Sequence, residues 1–247
     1  MKALASDFDG TLYFMRNDPN FREEDLSAIR RFQKEGGLFG ISTGRSLIGI
    51  KKVVHDRIAF DFYILVNGAL VLDKNCQPLY KECVDRDLIA EIHDRYFGQV
   101  EIIIQANDTV YNVGEPYPLQ VQIESIDDIP GYDIYGLSFG AENPADARRI
   151  TQEINQDYGE ILIAYENVWN VDIVPKGCSK GHAINLIKDK LGIDYIGGIG
   201  DSYNDVPMLK NVDCSFTFGH VPDGVKQHAD YIVDSVADAI QTLEKII

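Results

Sequence analysis

Apolar and polar positions follow two different rhythms along this chain. The first apolar run, Leu4-Ala5, leads directly into Asp7-Phe8-Asp9-Gly10-Thr11-Leu12, which reads as a short buried strand with acids at its carboxyl end. Residues 13–20 form a loop placed to lie over that end. Glu23-Glu24-Asp25 puts three acids at a helix start, where the dipole favours them, and Leu26, Ile29 and Phe32 supply the apolar stripe until Gly36-Gly37 stops the helix. Residues 38–42 are a second apolar strand, opening onto Thr43-Gly44-Arg45 and an amphipathic helix over 46–58. Residues 62–66 are a third strand, closed by the turn signal Asn67-Gly68. Strand, helix, strand, helix, strand with short connections predicts parallel strands in an α/β layer.

The rhythm changes after Asn67. Residues 69–72 and 78–80 flank Asp73-Lys74-Asn75 as a hairpin. Beyond it the pattern predicts a helix over 85–97, strands over 100–105, 109–113, 120–124 and 134–139, a helix over 144–158, and strands over 160–165 and 168–174. Hairpin-like strands with two helices describe an α+β unit with an antiparallel sheet. From Ser179 the alternation of strand and helix returns: helix 180–191, strand 195–199, short helix 206–209, strand 214–218, helix 223–228, strand 231–233 and a terminal helix. The predicted organisation is an α/β core of residues 1–82 and 178–247, interrupted by an insertion, 83–177, of a size that fits an independent domain.

Composition narrows the function classes. The 247 residues are 45% hydrophobic and 25% charged, as in a globular protein, and the net charge is -16. So acidic a chain lacks the basic surface that nucleic acid or an anionic membrane requires. Any anionic substrate must be held by local positive groups or a metal, against the overall field. No basic leader and no apolar run of spanning length precede the first strand, and Cys76, Cys83, Cys178 and Cys214 form no C-x-x-C pair. The expectation is therefore a cytoplasmic protein with reduced thiols. Five histidines, His55, His93, His182, His220 and His228, show no metal-ligand spacing.

The candidate chemistry sits at strand ends, where ligands bind in open α/β sheets. In an extended segment Asp7 and Asp9 project to one side, and two carboxylates at one site repel unless a proton or a hard cation such as Mg²⁺ lies between them. Gly10 permits a tight turn, and the Thr11 hydroxyl is placed to fix it. Thr43 and Gly44 offer a hydroxyl and a backbone N–H to a phosphate oxygen. Lys180 opens a helix, where its ammonium can neutralise phosphate and quiet Asp7. Gly200-Asp201-Ser202-Tyr203-Asn204-Asp205 follows the next strand with two more acids and an amide. Tyr111, Tyr117, Tyr135, Tyr165 and Trp169 in the insertion read as core packing, with ligand contact the alternative. Tyr203 stands where a dinucleotide fingerprint needs its third glycine, and no P-loop motif is present.

Asp7-Phe8-Asp9-Gly10-Thr11-Leu12, Ser42-Thr43-Gly44-Arg45, Lys180-Gly181 and Gly200-Asp201-x-x-Asn204-Asp205 resemble the four motifs of the haloacid dehalogenase superfamily. The Asn67-Gly68-Ala69 step and the insertion between the second and third motifs are similar to its Cof-type sugar-phosphatase branch, with a C2-type (C2B) cap. The resemblance implies a Rossmann-like parallel-sheet core with an inserted α+β cap. It implies further that Asp7 is a nucleophile forming an aspartyl-phosphate and that Asp9 is the acid and base. Mg²⁺ is then held by the Asp7 carboxylate, the Asp9 backbone carbonyl and Asp201. Thr43, Gly44, Lys180 and Asn204 grip phosphate or substrate, and Asp205 supports them from behind. The implied activity is hydrolysis of small phosphorylated metabolites such as sugar phosphates. Phosphoryl transfer to a sugar, as in phosphomannomutases, and non-catalytic sugar-phosphate binding are the alternatives. The sequence carries no sign of oligomeric state.

Overall fold

Ala3, Leu4 and Ala5 have no exposed surface, so the strand that carries them, β1 (Lys2–Ser6), is covered on both faces, as the centre of a parallel sheet must be. The computed structural model describes residues 1–16, 19–113, 120–131, 133–167 and 169–246. After β1 come α1 (Glu23–Lys34), β2 (Leu38–Ser42), α2 (Leu47–Val54) and β3 (Phe62–Leu65), then the hairpin β4 (Leu70–Asp73) and β5 (Pro78–Lys81). The next stretch holds α3 (Arg86–Tyr96), β6 (Glu101–Ala106), β7 (Thr109–Asn112), β8 (Gln120–Gln122), β9 (Ile134–Gly140), α4 (Pro144–Tyr158), β10 (Leu162–Asn167) and β11 (Asn170–Pro175). The chain closes with α5 (Lys180–Leu191), β12 (Tyr195–Ile199), α6 (Val206–Leu209), β13 (Cys214–Phe218), α7 (Asp223–Lys226), β14 (Tyr231–Val233) and α8 (Val236–Ile246).

Two sheets result. The larger has eight strands in the order β14-β13-β12-β1-β2-β3-β4-β5, parallel from β14 to β3, with the hairpin added antiparallel at one edge. From β1 the chain moves to one side through β2 and β3 and later to the other through β12, β13 and β14. The crevice beyond the carboxyl ends of β1 and β12 is therefore the topological switch point, the usual ligand position in such a sheet. The smaller sheet runs β10-β11-β9-β6-β7-β8 and is antiparallel except for the parallel pair β7 and β8. Strand alternation sends Ile102 and Ile104 of β6 to one face, where they join Ile92, Ile150 and Phe139 in a core beneath α3 and α4. The other face lies towards the larger sheet.

Several boundaries differ from the sequence reading. The helix expected to reach residue 58 stops at Val54, because His55 takes φ 50° and reverses the chain without a glycine. The strand expected from residue 160 starts at Leu162. The proposed loop over the site includes Asn17 and Asp18, and the aromatic set includes Tyr117; these, with Val168 at the expected start of β11, lie outside the described residues.

One of the three acids expected at the helix start is inside. Asp25 is fully buried where α1 meets α8; its Oδ1 accepts the Ala237 N–H at 2.7 Å, and its Oδ2 has no hydrogen-bond partner. Burial lifts its pKa from 3.8 to about 6. A folded-state pKa above the unfolded value means that ionised Asp25 costs stability at neutral pH, and that this cost fades as pH falls through about 6. Asp25→Asn keeps the bond to Ala237 and removes the charge. It is expected to raise the unfolding free energy by about 1–2 kcal/mol near pH 8 and by little near pH 4, read from urea titrations at both.

Candidate active site

Asp7, the first residue past β1, donates its backbone N–H to the Ile199 carbonyl of β12 at 2.8 Å, which joins the two strand ends. Gly10 takes φ 83°, and a Cβ there would collide with the Asp201 carboxylate, so both conformation and space demand glycine. The N–H groups of Leu12 and Tyr13 close the turn by donating to the Phe8 carbonyl at 3.0 and 2.8 Å. The Thr11 hydroxyl, expected to fix this turn, is instead buried without a hydrogen-bond partner. Main-chain bonds already do that work.

An ammonium between two carboxylates forms the floor of the site. Lys180 is the first residue of α5, a position where the helix dipole disfavours a cation. Its buried Nζ donates to Asp7 Oδ1 at 2.6 Å and to Asp205 Oδ1 at 2.5 Å. Ser179 caps the same helix, its hydroxyl accepting the His182 N–H at 2.9 Å. Asp205 uses its other oxygen to accept the N–H groups of Asp201 and Ser202 at 2.9 and 3.0 Å, which shapes the loop after β12. One carboxylate oxygen from each of Asp7, Asp201 and Asp205 lies within 4.8 Å of the others.

Three acids thus share one ammonium, and the pKa values reflect the imbalance. Burial first, and the Asp205 charge second, push Asp7 well above the usual carboxylate range despite Lys180. The same two causes push Asp201 up to about 7. Burial works against the Lys180 ammonium, but the charges of Asp205 and Asp7 prevail and raise its pKa. Such a cluster needs a further positive charge or a proton, and closely spaced carboxylate oxygens suit a hard divalent cation.

Above this floor opens a cavity of about 820 Å³, lined by Asp7, Asp9, Thr43, Gly44, Asp201 and Asn204 among others. Lys180 and Asp205 lie buried beneath it. Thr43 is held by its main chain: its N–H donates to the Ile64 carbonyl at 2.9 Å and its carbonyl accepts the Asn67 N–H at 3.0 Å. Its Oγ1 accepts the Arg45 N–H at 3.1 Å. Asn204 Oδ1 accepts the Ser202 hydroxyl at 2.6 Å.

Asp9 lines the same cavity, yet its carboxylate is engaged differently from that of Asp7. Arg45 grips it at two points, Nε to Oδ2 and Nη2 to Oδ1, both 2.7 Å. The guanidinium also lies over the Phe8 and Tyr13 rings, 5.3 and 5.6 Å from their centroids. Strand alternation alone would have turned Asp7 and Asp9 to one point, but β1 stops at Ser6 and the two acids find separate cations.

Arg45 stood inside a quoted motif and Asn67 inside a turn signal, each without a role, and Gln105, Ser138 and Asp172 were missed altogether. Asn67, at φ 47° beside a strained Val66 at φ 48°, donates from Nδ2 to Asp172 Oδ2 at 2.9 Å. Its Oδ1 accepts from Asn204 Nδ2 at 3.4 Å. Asp172 of β11 also accepts the Ser138 hydroxyl at 2.7 Å, and Gln105 of β6 donates from Nε2 to the Gly44 carbonyl at 3.0 Å. The turn signal at Asn67 was readable. Asp172, Ser138 and Gln105 were not, because they come from the other sheet. Of the aromatic set, Tyr111 and Tyr135 are buried in cores and the Tyr165 hydroxyl donates to the Cys178 carbonyl, whereas Trp169 is half exposed and lines the cavity.

The chain matches the family model of the haloacid dehalogenase-like hydrolases over residues 4–241. It is similar to the 5-amino-6-(5-phospho-D-ribitylamino)uracil phosphatase YcsE of Bacillus subtilis, 25% identical over 237 residues that cover 95% of this chain and 90% of the relative. The HMP-PP phosphatase of Klebsiella pneumoniae is 22% identical over 245 residues, covering 94% and 89%. Among solved structures, a haloacid dehalogenase-like hydrolase from B. subtilis shares the fold over 100% of both chains, with a TM-score of 0.85 at 18% identity. The parallel-sheet core, the family match and relatives of nearly equal length agree, and the chain belongs to the haloacid dehalogenase-like hydrolase family.

Proposed function

We propose that this chain is a Mg²⁺-dependent phosphatase that hydrolyses small phosphorylated metabolites, sugar phosphates and their kin, through an aspartyl-phosphate on Asp7. The observation that carries this reading is the Lys180 ammonium held between Asp7 and Asp205, next to Asp201, at the floor of a cavity. Family membership supports it, as do relatives whose names state phosphatase activity on a ribityl phosphate ester and on HMP-PP.

In this reading residues 1–82 and 178–247 are the catalytic core and residues 83–177 a cap that sets specificity. The Asp7 and Asp201 carboxylates and the Asp9 backbone carbonyl hold Mg²⁺, which supplies positive charge to offset the phosphate and the acids around it. An Asp7 oxygen attacks phosphorus, the bond to the ester oxygen breaks, and the departing alcohol takes a proton from Asp9. Asp9 must part from Arg45 to do so, and an arriving phosphate offers the guanidinium another anion. Water then attacks the same phosphorus, Asp9 takes its proton, and the Asp7 carboxylate is freed with inorganic phosphate. Lys180, the Thr43 hydroxyl, the Gly44 N–H and the Asn204 amide grip the phosphoryl oxygens, and Asp205 positions Lys180 and the Asp201 loop.

The same reading places the protein in the cytoplasm with neither nucleic acid nor membrane as partner. A net charge of -16 supports this, and no described helix is long and apolar enough to cross a membrane. The test is phosphate release from p-nitrophenyl phosphate and a metabolite panel. Release is expected with Mg²⁺, to fall at least about a hundredfold with EDTA, and to return when Mg²⁺ is restored in excess. Release indifferent to EDTA would sink the metal's part, and transfer only to an added sugar would favour the phosphotransferase alternative.

A further inference from the structure

The face of the smaller sheet that looks into the cavity has a distinct chemistry. Strand register sets Ile103 of β6 opposite Ser138 of β9, and Ser138 opposite Asp172 of β11, so these three form one row across the sheet. Gln105, two residues beyond Ile103, belongs to the same face. All four line the cavity. Gln105 is 3% exposed; its Nε2 is used by the Gly44 carbonyl, and its Oε1 has no hydrogen-bond partner. A buried acceptor left unpaired is costly, and the cavity is where a donor can reach it. Asp172 is 5% exposed; its Oδ1 accepts from Ser138 and its Oδ2 from Asn67, and the Asn167 side chain also donates to it, which still leaves room for a further donor on two carboxylate oxygens. It reaches close to the proposed phosphate grip, since a Cβ on Gly44 would lie 2.8 Å from Asp172 Oδ2. Among the described residues lining the cavity, the cations Arg16 and Arg45 come from the larger sheet's side, and this wall contributes none.

We propose that Gln105 and Asp172 determine specificity by admitting phosphate monoesters whose organic part is uncharged or cationic and rich in hydrogen-bond donors, while rejecting those with a second anionic group. The inference rests on the phosphatase reading above. Hydroxyl or amine donors on the leaving group satisfy the Gln105 carbonyl and add to the Asp172 carboxylate. Burial raises the Asp172 pKa, an effect that its hydrogen-bond donors and the Lys180 charge oppose, and in its ionised form this carboxylate repels a carboxylate or second phosphate placed beside it, with no cation on that wall to balance the two.

The experiment compares kcat/KM, with Mg²⁺, for two esters of equal length: sorbitol 6-phosphate, a neutral polyol ester, and gluconate 6-phosphate, which carries a carboxylate. The polyol ester is expected to be preferred at least about tenfold, and Asp172→Asn, which keeps the shape and lets the amide oxygen accept from Asn67 while the Ser138 hydroxyl turns to accept from the new NH2, to shrink that ratio most of the way to one. Gln105→Met is expected to lower kcat/KM for the polyol ester more than for p-nitrophenyl phosphate, whose leaving group donates no hydrogen bond in the ester. Ratios within one preparation are independent of how much enzyme is folded. Equal kcat/KM for the two esters in the unaltered protein, or an unchanged ratio in Asp172→Asn, overturns the selection while p-nitrophenyl phosphate turnover keeps the phosphatase reading intact. No release from any ester overturns both.

Discussion

Asp7→Asn is expected to lower phosphate release by at least about a thousandfold while leaving the fold as stable as before or more so. The two halves of that expectation have separate causes. Catalysis is lost because an amide does not attack phosphorus, and Asp205, the other acid bonded to Lys180, cannot replace it: both of its oxygens already serve Lys180 and the backbone of Asp201 and Ser202. Stability survives because Asp7 is buried beside other acids and its pKa is raised, so its ionised form is a cost to the folded state at neutral pH. Phosphate release measured with Mg²⁺ and thermal unfolding measured without added metal check the two halves. Residual activity above about one per cent of the original would move the nucleophile to another residue.

Lys180→Met is expected to act on both quantities at once. The ammonium is buried, and removing it leaves Asp7 and Asp205 without their shared cation. Breaking a buried pair by deleting one partner costs on the order of 3–5 kcal/mol, so unfolding should come at markedly lower urea. The sign of the pH dependence distinguishes this from lost packing. Uncompensated buried acids have raised pKa values, so protonating them relieves the strain, and the deficit should shrink between about pH 8 and about pH 5. A deficit constant over that range points to a cavity left by a shorter side chain. Phosphate release should fall at least about a hundredfold, because one of the few positive groups near the phosphate is gone.

Much of this arrangement was legible because it is local. β1, β2 and β12 are short apolar runs that end in polar residues, and Lys180 stands at a helix start where a cation has no local reason to be. Continuous burial on both faces makes such strands easy to find, and their carboxyl ends are where ligands go. The less legible parts arise from apposition. Arg45 meets Asp9 across 36 residues between neighbouring strand ends of one sheet, Asn67 meets Asp172 across 105 between the two sheets, and no periodicity encodes either pairing. Gln105 reads as an ordinary outward-facing strand position until the larger sheet covers it. The misplaced helix end at His55 has a different origin, a non-glycine residue with positive φ, for which composition offers no signal.

The seam between the two sheets has unlike ends. On the cavity side it is stitched by amide bonds, Gln105 to Gly44 and Asn67 to Asp172, each of which water can replace at a net cost of only about 0.5–3 kcal/mol. Away from the cavity, Tyr135, Val174 and Cys178 are buried within the apolar core of the larger sheet, and hydration would cost them far more. A seam that is water-exchangeable at one side and greasy at the other is weakest at the mouth and strongest at the far edge, so any parting of the two sheets would begin at the cavity. An opening of that kind would admit a ligand while neither sheet lost a strand.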